Sequence, residues 1–257
     1  MVLDISVLKT FQVRIGEKAL KSVKAPRISK SSIRYVCGLD VSYSRKVGGV
    51  AAAAVFEVGS GKLVDVGLAV GEPAIEYVPG LLAFREAPLL YTAFMKLLEE
   101  VRNIVDVVLV DGHGIAHPRY SGIATHIGLA LGMPALGVAK RKLYGRIVPE
   151  ERPCSEFPCV VGWIEDRRNP SLLLGAVLSS DTGSKLYVSP GAYVDLKTAV
   201  EIVMRVTSRG HKLPLPIYYA DGLSRSVARA LDSGTLSIES IADYVRNTIA
   251  KQSRLFS

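Results

Sequence analysis

Residues 33–42 read Ile33-Arg34-Tyr35-Val36-Cys37-Gly38-Leu39-Asp40-Val41-Ser42, an apolar run interrupted by one carboxylate. Its length and its β-branched and aromatic content describe a strand of a covered sheet. Two more β-like runs follow, Val50–Val58 and Lys62–Val70, joined by Gly59-Ser60-Gly61, a tight glycine turn that fits a hairpin. After Pro88 the period changes. Leu90, Phe94, Leu97, Leu98 and Val101 share one helical face, with Pro88 near the first turn. Val105–Val110 is continuously apolar, the mark of a strand covered on both faces, and it ends at Asp111. Ile123–Leu131 reads as a helix stopped by Gly132, and Pro134–Ala139 as a short strand. Leu172–Ser179 and Lys185–Val188 form a second hairpin around Asp181-Thr182-Gly183. The remainder is helical: Leu196–Val206 ending near Gly210, Ala220–Leu231 and Glu239–Ala250. Three antiparallel strands followed by crossovers to parallel ones give a single α/β domain, a mixed sheet with helices on its faces.

The domain starts near Ile33. Residues 1–30 are a basic lead-in, helical or irregular, laid on it, and 245–257 a C-terminal tail, so that 1–257 form one unit. No apolar run reaches the length of a membrane span, and there is no basic-then-apolar leader, which argues against a span or a secretory signal. The 257 residues carry 32 Lys/Arg against 24 Asp/Glu, a net +8. The excess is clustered. Residues 1–34 hold eight basic side chains against Asp4 and Glu17, residues 140–152 hold five against two, and residues 205–257 hold eight against four. Such clusters fit a polyanion, nucleic acid above all. The three cysteines, Cys37, Cys154 and Cys159, make no disulfide framework and no zinc motif, so three buried thiols in a reducing cytoplasm are expected. No surplus apolar surface stands out, and a monomer is the default.

Several chemistries are excluded by absence. There is no G-x-x-x-x-G-K-[ST] loop, no H-E-x-x-H and no G-x-S-x-G, and Gly112-His113-Gly114 lacks the third glycine of a dinucleotide fingerprint. What is present is a carboxylate where the fold wants an apolar residue. Asp40 inside a strand is costly unless a cation or donors satisfy it. Asp111 lies at the carboxyl end of a buried strand, where α/β sheets place ligands. The plain alternatives are backbone bonds to Asp40 at a bulge and a turn started by Asp111. Pairing the two strands side by side would bring both anions together, and a hard divalent cation resolves that repulsion.

The segment Asp111-Gly112-His113-Gly114-Ile115-Ala116-His117-Pro118 is the densest in chemistry. Its two histidines are four apart, but Gly112, Gly114 and Pro118 oppose the helix a zinc pair needs. A glycine-rich loop there instead permits close approach by a flat ligand such as a base. His126 reads as structural and His211 as solvated. Lys140 follows a strand end and either faces water or neutralises a phosphate. Tyr77-Val78-Pro79-Gly80-Leu81-Leu82 is core packing or a wedge between bases. Asp221 reads as a helix cap.

Taken together, these blocks resemble endonuclease V, the inosine-directed nuclease family. The resemblance is carried by Gly38-Leu39-Asp40-Val41-Ser42, Tyr77 to Glu86, Asp111 to Pro118, Gly122-Ile123-Ala124-Thr125-His126, Gly137-Val138-Ala139-Lys140 and Leu143-Tyr144-Gly145, in order over about residues 30–225. It implies an RNase H-like mixed sheet with helices on both faces. It also implies Mg²⁺-dependent cleavage, with Mn²⁺ as substitute, of DNA or RNA containing hypoxanthine, at the second phosphodiester 3′ to the lesion. Asp40, Glu86 and Asp111, with Asp221 as a fourth member, would be the catalytic and metal-binding acids, and Lys140 would contact the scissile phosphate. Tyr77, Val78 and Pro79 would form the wedge, while Gly80, Leu82, Gly112, His117, Gly122, Gly137 and Leu143 would form or border the base pocket. The chain departs from the family pattern at Glu76, where proline is usual, at Leu215, where glutamate is frequent, and at Tyr218, where arginine is common. The rival readings are an RNase H-like nuclease for branched or single-stranded DNA and a non-catalytic nucleic-acid-binding module.

Overall fold

The pairing that brings Asp40 and Asp111 side by side organises the whole sheet. In the computed structural model, which describes residues 4–29 and 32–255, β1 (Tyr35–Ser44) pairs antiparallel with β2 (Gly48–Glu57), and β2 with β3 (Leu63–Gly71). On its other side β1 runs parallel to β4 (Val107–Asp111), with Leu39 opposite Val110, and β4 runs parallel to β5 (Ala135–Ala139). The chain then adds β6 (Arg146–Pro149), β7 (Cys159–Glu165), β8 (Leu173–Ser179) and β9 (Lys185–Ala192). Strand β9 returns antiparallel to β5, completing nine strands in the order β3-β2-β1-β4-β5-β9-β8-β7-β6. The parts of the expected lead-in and tail at 1–3, 30 and 256–257 lie outside the described residues.

Among the described residues seven helices accompany the sheet: α1 (Ile5–Val23), α2 (Leu82–Met95), the short α3 (Glu99–Arg102), α4 (Ile123–Leu131), α5 (Leu196–Arg205), α6 (Leu215–Ser233) and α7 (Ile241–Leu255). The pleat divides each strand between two cores. Cys37, Leu39, Val108 and Val110 face α2 and α4, where Leu90, Phe94 and Ile127 cover them. Val36, Val107 and Leu109 face the other way, toward Val203 of α5 and Ile217 of α6. Farther along α6, Leu223 and Val227 cover Val50 and Ala52 of β2, and Ile241 and Val245 of α7 join them. Asp40 and Asp111 share parity with the second set, so both carboxylates turn toward α6.

Helix α6 comes close enough because Gly38 has no side chain. A Cβ there would lie 2.1 Å from the carbonyl oxygen of Pro216 in the first turn of α6.

Several expectations are corrected. Helix α2 begins at Leu82, so Pro88 is interior; it is exposed, where water can take up the carbonyl left without its amide partner. Helix α6 begins at Leu215 rather than near Ala220, and Asp221 is therefore well inside the helix and caps nothing. Strands β6 and β7 went unread, because the first is short and mostly exposed. Their hairpin returns the chain on itself and brings Cys154 and Cys159 together in a disulfide, with Cα atoms 5.9 Å apart, where free thiols were expected; Cys37 is free and buried. On β7 the indole N–H of Trp163, half-buried, donates to Glu150 (2.7 Å).

Two glycine-to-alanine substitutions should shift stability in opposite directions. Gly38→Ala forces β1 and α6 apart and should cost about 1–3 kcal/mol. Gly222→Ala adds a methyl group to an exposed position of α6 with nothing within 4 Å and should stabilise by about 0.5–1 kcal/mol. Denaturant unfolding of the two variants checks both signs.

Candidate active site

Asp40 from β1, Asp111 at the end of β4 and Asp221 from α6 converge so that one oxygen of each lies within 4.8 Å of the others. Asp40 is the most enclosed, 8% exposed. Burial, and after it the charge of Asp111, pushes its carboxyl from the usual 3.8 up to about 7. The Ser224 hydroxyl offsets part of this by donating to Asp40 (2.9 Å), and Ser42 lies 2.8 Å behind it as the next donor. Two cations are drawn in. Lys140 at the end of β5 reaches Asp111 (2.7 Å) and Asp221 (3.3 Å), and Arg225, one turn along α6, bonds Asp221. Three carboxylates with no imidazole or thiol among them are a hard-oxygen donor set, which suits a hard divalent cation.

Glu86 is not part of this trio. It projects from α2, its carboxyl raised by burial, and accepts a hydrogen bond from Tyr43 (2.8 Å); Asp111's charge reaches it as well. Arg85 donates to the same Tyr43 oxygen (2.8 Å) and to the carbonyl of Ile75 (2.6 Å), which fixes the root of the loop carrying Tyr77, Val78 and Pro79. Glu76, at the departure from the family pattern, stands fully exposed 3.9 Å from Arg85. Tyr77 is 63% exposed at the tip, and the loop closes where Leu81 N–H donates to Val78 (2.9 Å) with Gly80 at φ +78°, just before Leu82 opens α2.

The histidines of the β4–α4 loop serve two backbone carbonyls rather than a shared metal. His117 is buried, and burial lowers its pKa to about 4, so the ring is neutral. Its Nδ1 accepts from the backbone N–H of Arg119 (3.2 Å), so Nε2–H donates to Gly80 (3.1 Å). His113, likewise lowered to about 4 by burial, donates from Nε2 to the carbonyl of Arg141 (2.9 Å), and its Nδ1 is buried without a partner. His126 packs edge-on against Phe84 and bonds Ser121, as a structural side chain does. His211 is half-buried against Tyr218 rather than solvated. The loop glycines are packing positions. A Cβ on Gly122 or Gly137 would strike the backbone of residues 112–114, and one on Gly112 would strike Ile123. Leu143 stands 47% exposed on the segment after Lys140.

Sequence reasoning missed Gln12. The lead-in is the 19-residue helix α1, and its buried face is Leu8, Gln12, Gly16, Ala19 and Ser22, while Phe11 and Val13 are exposed. Gly16 lets α1 lie directly on the carbonyl of Arg119, which a Cβ would meet at 2.0 Å. Gln12, fully buried, donates to Gly80 (2.9 Å) and Ser121 (3.3 Å) and accepts from Arg119 Nε (2.6 Å); Arg119 also donates to Gly80 (3.0 Å). The Gly80 carbonyl thus gathers three side-chain donors, and α1 clamps the Tyr77 loop to the β4–α4 loop. The available signal was the spacing of small and polar residues, not of apolar ones.

Two measurements follow from this geometry. Ionised Asp40 is the form the fold penalises, so in chelator its contribution to stability is lost as pH rises from about 4 to about 7. Asp40→Asn should lack that loss, and the wild-type-minus-variant difference should change by up to about 1.4 kcal/mol per pH unit across the window, with the histidine contributions cancelling. Gln12→Leu leaves Arg119 and Ser121 short of partners and should cost about 1–3 kcal/mol in denaturant unfolding.

The same chain matches known proteins along most of its length. The family model described as Endonuclease V matches residues 17–222, a span that takes in all five candidate polar residues and leaves Gln12 outside. The endonuclease V of Desulfurococcus amylolyticus is 42% identical over 221 residues, 82% of this chain and 90% of that protein. The crystal structure of Bacillus subtilis endonuclease V superposes with a TM-score of 0.76 at 26% identity, over 91% of this chain and 95% of that one. A Ciona intestinalis endonuclease V variant, crystallised with a 23mer DNA containing an inosine followed by a ribo-adenosine, gives 0.74 at 25% identity, over 90% and 100%. The fold is RNase H-like, as the resemblance implied. With a family match across four-fifths of the sequence and a relative this similar, the chain belongs to the endonuclease V family.

Proposed function

We propose that this protein cuts the second phosphodiester bond 3′ to hypoxanthine, in DNA and in inosine-containing RNA, leaving 3′-hydroxyl and 5′-phosphate ends. The observation that carries the reading is the trio Asp40, Asp111 and Asp221 at one sheet edge with Lys140 beside it. A related chain crystallised on inosine-containing DNA supports the substrate. We propose Mg²⁺ as the cofactor, replaceable by Mn²⁺, and a monomer of one catalytic domain, 1–257, working in the cytoplasm. No helix of the described residues is long and apolar enough to cross a membrane.

Asp40, Asp111 and Asp221 would hold the metal. Bound there, it would acidify a water and neutralise charge on the phosphate. The residues of the chain supply the rest. Lys140, which bonds Asp111 and Asp221, stands beside the trio, where its ammonium would contact the scissile phosphate. Glu86, oriented by Tyr43, positions water on the α2 side. Tyr77, Val78 and Pro79 fill the gap left when the base is turned out of its stack. Gly80 would read that base: its carbonyl is fixed by Gln12, Arg119 and His117, and its amide hydrogen makes no backbone bond among the described residues. An N–H there donates to the 6-oxo group of hypoxanthine and meets another donor in the 6-amino group of adenine. Gly112 does not share this task, because its amide is committed to Val138 (3.2 Å).

End-labelled DNA and RNA strands with one inosine, or adenosine as control, decide the matter. Metal-dependent cutting one linkage beyond the immediate 3′ bond, confined to inosine strands, is the expected result. Cutting that ignores inosine would overturn the substrate, and tight binding without turnover would overturn the chemistry. Asp111→Asn should reduce cleavage by about 10³-fold or more, since its carboxylate serves both the metal and Lys140.

A further inference from the structure

Lys185, His211, Lys212 and Tyr218 have no part in the reading above, yet the fold assembles them beside the acidic trio. A groove of about 650 Å³ opens next to Lys140 and Asp221 and runs between the β8–β9 turn, the segment before α6 and the first turns of α6. That volume lies in the range of small-ligand sites and has room for a nucleotide or two. Its floor is aromatic. Tyr218 is 46% exposed, and the rings of His211 and Tyr219 stand nearly perpendicular to it with centroids 4.9 and 5.6 Å away, so the ring is held in place while part of it meets solvent. Its walls are basic. Lys185 and Lys212 are exposed and make no ion pair among the described residues, whereas Arg225 and Lys140 at the trio end are held by Asp221. Asp181 accepts from Gly210 N–H (2.8 Å), which ties the hairpin turn to the His211 segment and keeps the two walls in register.

An exposed ring between unpaired ammonium groups is the arrangement that takes an unstacked base and its phosphates. Direction follows from the two faces of the sheet. The Gly80 and His117 loops lead into α2 and α4 on one face, whereas the groove is built from the approach to α6 on the other. The acidic trio, whose carboxylates turn toward α6, borders the groove at Asp221. Resting on the cut position proposed above, a strand whose recognised base sits at Gly80 must cross the trio in the 3′ direction.

We propose that this groove is a nucleotide subsite for the strand 3′ to the cut, with a base stacked on Tyr218 and its phosphate between Lys185 and Lys212. The first nucleotide past the scissile bond is then held unstacked in this groove, and the downstream product leaves from it.

The test uses single-stranded inosine oligonucleotides identical up to the cut bond and ending one, two, three or five nucleotides beyond it. In the wild-type protein kcat/KM should rise about 10-fold along the series, through KM, as the subsite fills. Tyr218→Ala and the Lys185→Ala/Lys212→Ala double variant should flatten the ratio of longest to shortest substrate toward one. Tyr218→Phe should keep the rise, since stacking needs the ring and not the hydroxyl. The double lysine variant should also show a shallower dependence of binding on salt. Anisotropy with the same labelled strands in EDTA reads the groove without turnover. Equal affinity and equal length dependence in wild type and Tyr218→Ala would overturn the subsite. A wild-type protein that binds the strands by length yet cuts none would instead overturn the nuclease reading and leave the subsite standing.

Discussion

Three carboxylates within 4.8 Å of one another repel, and a fold that gathers them must hold them in place by other means. Here the means are mostly backbone geometry. The parallel register of β1 and β4 sets Asp40 and Asp111 near the same level and on the same face of the sheet, and the bare Cα of Gly38 lets α6 descend until Asp221 completes the group. The remaining repulsion is met by three hydrogen-bonding partners of different kinds: the Ser224 hydroxyl on Asp40, the Lys140 ammonium across Asp111 and Asp221, and the Arg225 guanidinium on Asp221. Burial, and after it the charge of Asp111, still raises the Asp40 carboxyl to about 7, a penalty on its ionised form that a bound cation would oppose.

The parts of this arrangement that interrupt a strong pattern were legible in the sequence. Asp40 and Asp111 each break an apolar run, and the pairing of their strands is as the order of elements required. Asp221 was placed among the acids by the family resemblance alone; read from periodicity it was a helix cap, because its helix starts five residues before its apolar period becomes clear, behind Pro214 and Pro216. Glu86 was named by the same resemblance, but its helix was not legible, since Pro88 reads as a helix start and the helix runs straight through it. Strands β6 and β7 carry too little burial to imprint an alternation. Gln12 was masked for a subtler reason, since α1 buries small and polar residues and exposes Phe11 and Val13, the inverse of the pattern that periodicity arguments seek.

The sheet serves two purposes along its length. Around β1, β4 and β5 its carboxyl edge is crowded with loops, each fixed by a buried polar contact from elsewhere in the chain: Arg85 to Ile75, His113 to Arg141, Gln12 to Gly80 and Ser121. Loops of this kind are rigid only as long as their remote anchors are docked, which makes α1 part of the site although it is distant in sequence. The wing formed by β9, β8, β7 and β6 is closed instead by hairpins, the β6–β7 disulfide and the Trp163–Glu150 bond, and contributes to the acidic edge only through β9 and its turn.

That separation gives the single tryptophan a particular vantage. Trp163 lies three strands from β5, about 14 Å across the sheet, with its indole N–H held by a carboxylate of its own hairpin. Its ring packs on the core shared by β4, β5, α5 and α6, so its emission follows both the distal wing and the packing beneath α6. Spectral changes on heating would time the loss of that packing, whereas an ion or a strand arriving at the acidic edge meets tyrosines, such as Tyr43 and Tyr218, before it reaches the indole. The two kinds of aromatic ring thus stand at different ends of the same sheet.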